Sequence, residues 1–342
     1  MPLRLHFILR CVVVCLLLTS CGKDVLIPNE NIGKQPTVPY GFPAIAYPAD
    51  NAYTLARWEL GKKLFFDPVL SVDSSLSCGS CHKPNLAFSD ELATTPGVFN
   101  RPGTRNAPTL ANVAYHPYFT REGGVPTLEM QVLVPLQEHN EFDFNIVDAG
   151  DRLAKIPDYI EMSLAAYNRK PDYYVITRAL ANFERSFLSG NSTYDQYIRF
   201  GGSEKMTAKA KLGADLFFSN KTNCSSCHSG FDFTNYSFEN NGLYTEYSDP
   251  GRMRLTGKEE DAARFKVPSL RNVAVTGPYM HDGSIQSLEA VIEHYNLGGK
   301  NHPNKSAELT PLALSKEQKI QLLAFLESLT DEEFITNSKF RK

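Results

Sequence analysis

Two short segments constrain this 342-residue chain more than anything else in it: Cys78-Gly79-Ser80-Cys81-His82 and Cys224-Ser225-Ser226-Cys227-His228. Each has two thiols separated by two residues, with a histidine directly after the second. Each also belongs to a longer repeat. Leu60-Gly61-Lys62-Lys63-Leu64-Phe65-Phe66 precedes the first, and Leu212-Gly213-Ala214-Asp215-Leu216-Phe217-Phe218 precedes the second. Downstream, Pro108-Thr109-Leu110-Ala111-Asn112-Val113-Ala114 is echoed by Pro268-Ser269-Leu270-Arg271-Asn272-Val273-Ala274. The same offset pairs Glu122-Gly123 with Asp282-Gly283 and Leu128-Glu129 with Leu288-Glu289. Two copies are too few for a solenoid, so the pattern predicts a duplicated domain with its junction near residues 189–203.

The apolar spacing is helical. Ile176, Leu180, Phe183 and Phe187 recur on one helical face after Pro171. Ser315 followed by Gln318 reads as a capping box opening a helix through Ile320, Leu323, Leu326 and Leu329. Residues 192–202, 234–242 and 297–305 read as loops, and no strong alternating strand is present. The expected fold class is therefore all-α: an N-terminal domain over residues 49–200 and a C-terminal domain over residues 201–335.

Two thiols at this spacing followed by His form the c-type haem attachment pattern. The thiols add to the two vinyl groups of one porphyrin, and the adjacent imidazole reaches the iron. A zinc site would need a closed set of four N or S ligands, and a dithiol redox pair a βαβ setting. Neither explains two histidines in two copies of a helical repeat. Two c-type haems are expected, with Cys78, Cys81 and His82 holding the first and Cys224, Cys227 and His228 the second. The opposite face of each iron decides what it does: a second strong ligand makes an electron-transfer haem, and a vacant or labile position one that can bind peroxide or oxygen. The second copy offers Met280 and Tyr295. The equivalent positions of the first are Thr120 and Pro135, which cannot ligate, and its other candidates, His116, Met130 and His139, read as structural.

Of the seven cysteines, the remaining three crowd the N-terminus. Arg4 and Arg10, the apolar run Cys11-Val12-Val13-Val14-Cys15-Leu16-Leu17-Leu18 and the small residues before Cys21 resemble a bacterial lipoprotein signal. Residues 1–20 are then a signal peptide, Cys21 carries the lipid, and residues 21–48 form a tether. This places the protein on the exported, periplasmic side, membrane-anchored through Cys21. The net charge of −3 advertises no nucleic-acid surface.

From Leu60 to Asp331 the chain resembles the bacterial dihaem cytochrome c peroxidases and their MauG-like relatives. The resemblance rests on the segments above, on Gly103-Thr104-Arg105-Asn106-Ala107-Pro108, on Leu128-Glu129 with Gln131, Pro135 and Glu141, and on Pro278-Tyr279-Met280-His281-Asp282-Gly283. It implies two cytochrome c domains, with peroxide reacting at the N-terminal haem and electrons entering at the C-terminal one. The implied activity is reduction of hydrogen peroxide to water by a small donor protein, a cytochrome c or a cupredoxin. The alternatives are a MauG-like oxidase acting through high-valent iron and a non-catalytic dihaem electron carrier. The family's Gln and Glu of the peroxide pocket fall on Gln131 and Glu141. An inter-domain Ca2+ would take Asn106 through its side chain and Thr276 and Pro278 through backbone oxygens; a homodimer is a further implication. Three departures stand out. Residues 95–100, on the loop where some members carry an iron-binding His, contain none. Tyr295 stands where MauG-like enzymes have Tyr and the peroxidases Met. Arg121 replaces the Trp that lies between the haems, and the one Trp of this chain is Trp58.

Overall fold

The computed structural model describes residues 34–201 and 205–342. The signal-peptide and Cys21 assignments lie outside them. Among the described residues the first half holds α1 (Leu55–Phe66), α2 (Cys78–Cys81), α3 (Leu128–Gln131), α4 (Leu133–Gln137), α5 (Ile146–Leu153), α6 (Pro157–Tyr167) and α7 (Tyr173–Glu184). The second holds α8 (Thr193–Phe200), α9 (Ala208–Phe217), α10 (Met253–Thr256), α11 (Leu288–Asn296), α12 (Lys316–Glu327) and α13 (Glu332–Thr336). The expected all-helical class agrees with this, apart from a two-stranded antiparallel ribbon, β1 (Phe238–Glu239) with β2 (Phe265–Lys266). No helix among the described residues is long and apolar enough to cross a membrane.

Each half is built on one close helix pair. In the first, α1 crosses α7 at Gly61, where an added Cβ would lie 2.0 Å from the Ala179 carbonyl oxygen. In the second, α9 crosses α12 at Gly213, 1.9 Å from the Gln321 carbonyl oxygen by the same measure. The glycine of each Leu-Gly motif is thus the point of backbone contact, and Phe183 or Phe325 packs beside it. Gly61→Ala or Gly213→Ala must push two helices apart. We expect each to cost about 1–3 kcal/mol or more, the range for overpacking, read as a lower denaturation midpoint.

The α7 stripe is buried as expected, Ile176, Leu180, Phe183 and Phe187 each being 1% exposed or less. On α12 the capping box forms, but the face turned inward is Leu322, Phe325 and Leu326, with Leu329 beyond the helix, while Ile320 and Leu323 are only half-buried. The approach of α9 at Gly213 selects that face. Residues 192–202, expected as a loop, are mostly helix: Ser192 and Asp195 cap each other's backbone and start α8. The loop expected at 234–242 carries β1.

The halves exchange segments. Tyr194 of α8 packs on Phe233 and Phe325, and Asp195 receives both terminal nitrogens of Arg271, so α8 sides with the second core. In return Phe334, Ile335 and Phe340 are buried in the first core, where Phe340 meets Phe88 and Phe187 at 5.7 and 5.4 Å. At the centre, Asn112 and Asn272, both with positive φ, donate to the backbone oxygen and the hydroxyl of Ser189 at 2.9 Å each. Phe42, in the segment leading into the first half, lies against Phe231 and Tyr115 with Arg271 over its ring.

Candidate active site

The first cysteine pair occupies the single turn of α2, opened by reciprocal capping between Ser77 and Ser80. Phe66, the last residue of α1, covers it: a Cβ on Gly79 would lie 2.5 Å from its ring. His82 Nδ1 is 2.7 Å from the Phe88 carbonyl oxygen and His228 Nδ1 is 3.1 Å from that of Phe233. A carbonyl there keeps the proton on Nδ1 and leaves Nε2 to a metal. Burial lowers the pKa of both imidazoles, that of His228 to about 4, so both rings are neutral.

None of these four thiols is bonded to another, and burial raises the pKa of each, Cys81 to about 12. A structural zinc site or a reactive dithiol needs the opposite, a stabilised thiolate. Nor does any group of three or more His, Cys, Asp or Glu side chains converge among the described residues. Neutral thiols beside an imidazole with Nε2 available fit a covalently attached haem in each half.

Glu141 is held by backbone contacts on both sides. Its N–H reaches the Glu138 carbonyl, and its own carbonyl accepts from Val98 at 2.9 Å. Gly97 is needed for that approach, since a Cβ would lie 1.9 Å from the Asn140 carbonyl oxygen. The His-free loop of residues 95–100 is thereby pinned against Glu141. Glu141 is an exposed residue, yet protein atoms lie close around its carboxyl. That enclosure, with the charge of Glu138 adding, raises its pKa to about 7. Its charge is also felt by both Cys78 and Cys81, so it lies in the neighbourhood of the first cysteine pair. Gln131 ends α3, and its Oε1 is buried with no hydrogen-bond donor. An orphaned buried acceptor is costly and suits a ligand-facing group. Met130 and His139 are exposed, His139 paired with Asp143; His116 is half-buried near Lys266 and Tyr236, with its Nε2 buried.

The second half differs at the matching place. Here α11 runs unbroken to Asn296, whereas its counterpart is split into α3 and α4 with Pro135 in the position of Tyr295. Burial raises the Tyr295 phenol, a hydrogen bond with Asn241 opposes this, and Cys224 and Cys227 are near enough to contribute. Asn241 Nδ2 also donates to Met280 Sδ at 3.1 Å. Both candidate ligands therefore converge on one amide. Sequence reading missed Asn241, because an Asn in an Asn/Gly-rich loop carries no distinguishing signal. It also missed Glu184, a buried carboxyl near Cys78 whose pKa burial raises to about 8; it lies within an apolar helical stripe.

Charged side chains fasten the halves together. Arg105 binds Glu122 at 2.5 Å and grips Asp249 with two nitrogens at 2.7 and 2.9 Å. Arg254 also binds the buried Glu122. Arg121 turns back onto Asn106: its Nη2 donates to the Asn106 carbonyl at 2.7 Å and to its Oδ1 at 3.2 Å. Trp58 lies elsewhere, in the first core, with Nε1 on Ser186 and its ring against Phe183.

Residues 55–203 match the family described as di-haem cytochrome c peroxidase. The chain is 36% identical over 293 residues to the methylamine utilization protein MauG of Methylorubrum extorquens, covering 84% of this chain and 82% of that protein. It is 31% identical to the cytochrome-c peroxidase IdrP1 of Denitromonas iodatirespirans, over 93% of this chain and 90% of that one. Among solved structures, a MauG-like protein associated with microbial copper homeostasis superposes with a TM-score of 0.84 and 31% identity, over 89% of this chain and 97% of that chain. The chain belongs to the family of dihaem cytochrome c peroxidases and MauG proteins. It is accordingly a haem oxidoreductase of the peroxidase class.

Proposed function

We propose that the protein is a dihaem peroxidase that reduces hydrogen peroxide to water at its N-terminal haem, with electrons entering from a small donor protein at the C-terminal haem. In this reading its two halves are copies of one unit with one haem each, and it works on the periplasmic side, anchored through Cys21. The observation that carries the reading is Glu141, a carboxyl whose pKa its surroundings raise to about 7, near the first cysteine pair, in the half where Pro135 replaces Tyr295. Each haem, when bound, supplies an iron that accepts and passes electrons. Glu141 does the proton work: its carboxylate takes the proton from one peroxide oxygen and returns it to the departing one. Gln131 Oε1 accepts a hydrogen bond that orients the peroxide.

A second reading, a MauG-like oxidase acting on an organic or protein substrate, is favoured by Tyr295 beside the second cysteine pair. Mixing the as-isolated ferric holoprotein with hydrogen peroxide separates the readings. With no His on the pinned loop, reaction is expected at once, without prior reduction. Rapid turnover with reduced cytochrome c supports the peroxidase, and a long-lived oxidised product without turnover supports the oxidase. A ferric protein inert to peroxide until half-reduced would sink the open first haem.

A further inference from the structure

We propose that the junction between the halves takes its positive charge from Arg121 and binds no calcium there. Three features support this. The Asn106 amide is fixed: Nδ2 donates to the Leu92 carbonyl at 2.9 Å, which turns Oδ1 toward Arg121. Both Asn106 oxygens then accept from Arg121 Nη2, so the side-chain oxygen a cation would need already faces a permanent charge. The partner segment is pinned to the same residue, because the Asn106 N–H donates to the His281 carbonyl at 2.9 Å. That segment, residues 276–282, includes Thr276 and Pro278, the other two expected ligands.

Calcium binds hard oxygen ligands in shells of six to eight. A guanidinium is itself a donor, never deprotonates and repels a second cation. Burial and the neighbouring Arg105 lower the Arg121 pKa to about 10, against the pull of Asp249, Asp282 and Glu122, so the guanidinium stays charged at neutral pH. Asp249 and Glu122 are already engaged by Arg105. The ligand set therefore does not fit calcium. The Arg121 side chain holds Asn106, and Asn106 itself reaches the loop of the second half through its N–H, so the junction is closed from within the chain. Lys266 N–H donating to the Arg121 carbonyl at 2.7 Å completes the clasp.

The test uses the dihaem protein after EGTA treatment. Calorimetric titration with calcium chloride should show no binding, and millimolar calcium should leave the unfolding midpoint unchanged. Arg121→Ala should lower the midpoint by roughly 2–4 °C, and calcium should restore part of that loss, since a ligand binding only the folded state stabilises it. Arg121→Lys, which keeps the charge, should stay indifferent to calcium. A calcium-dependent rise in the unmodified protein, lost in Asn106→Ala, overturns the proposal. So does an Arg121→Ala protein that is unchanged in stability or destabilised but deaf to calcium. If Arg121→Ala does not fold, the titration of the unmodified protein decides alone. None of these outcomes bears on which substrate is oxidised.

Discussion

Glu141→Gln should slow the reaction with hydrogen peroxide by about 10²–10⁴-fold, the usual worth of a general acid–base group. The substitution keeps shape and hydrogen-bonding reach but removes the exchangeable proton. Backbone contacts with Glu138 and Val98 hold the segment, so haem content and folding should not change. The pH profile sharpens the test. The unprotonated carboxylate is the acceptor, and the group titrates at about 7. The rate should therefore fall as pH drops below about 7, and this limb should vanish in Glu141→Gln. Stopped-flow absorbance across pH measures both. A loss below about threefold, or a variant that keeps the limb, would return Glu141 to an ordinary wall carboxylate.

Tyr295→Phe should move the potential of the C-terminal haem upward. An anionic oxygen donor favours ferric iron, whereas a thioether raises the potential, and axial ligands together span about 0.8 V. A shift of roughly a few tenths of a volt is expected. The phenol's pKa is raised by burial, so proton loss must come from the metal, as with other protic ligands. Asn241 helps by bonding to the phenol and by occupying Met280 Sδ. Met280→Leu should then change the potential little. A redox titration of both variants decides. A clearly positive potential, lost in Met280→Leu and untouched in Tyr295→Phe, reverses the assignment and restores the ordinary electron-accepting haem.

What sequence revealed was local chemistry, and what it hid was contact between distant parts. The cysteine motifs carry their function in five adjacent residues, and the α7 stripe is legible because every residue in it is buried. Glu141 is legible only through the family resemblance that pairs it with Gln131; its pKa near 7 comes from the protein packed around the carboxyl and from Glu138, which no spacing shows. The face of α12 was half misread, since Gly213 of a helix about a hundred positions upstream chooses it. The helix at 193–200 was missed because Ser, Asn and Gly at its start suggest a turn until Ser192 and Asp195 are seen capping each other. Arg121 was legible as a departure; its grip on Asn106 was not, because the two sit on different turns that only tertiary folding brings together.

The docking of Phe334, Ile335 and Phe340 into the first core has a consequence for biosynthesis. Translation proceeds from the N-terminus, and early domains usually fold as they emerge. Here the aromatic cluster around Phe88 and Phe187 lacks its lid until residues 334–340 have joined it. The half that is made first is therefore the half that is finished last, and a chain cut before residue 334 would leave its oldest hydrophobic surface bare.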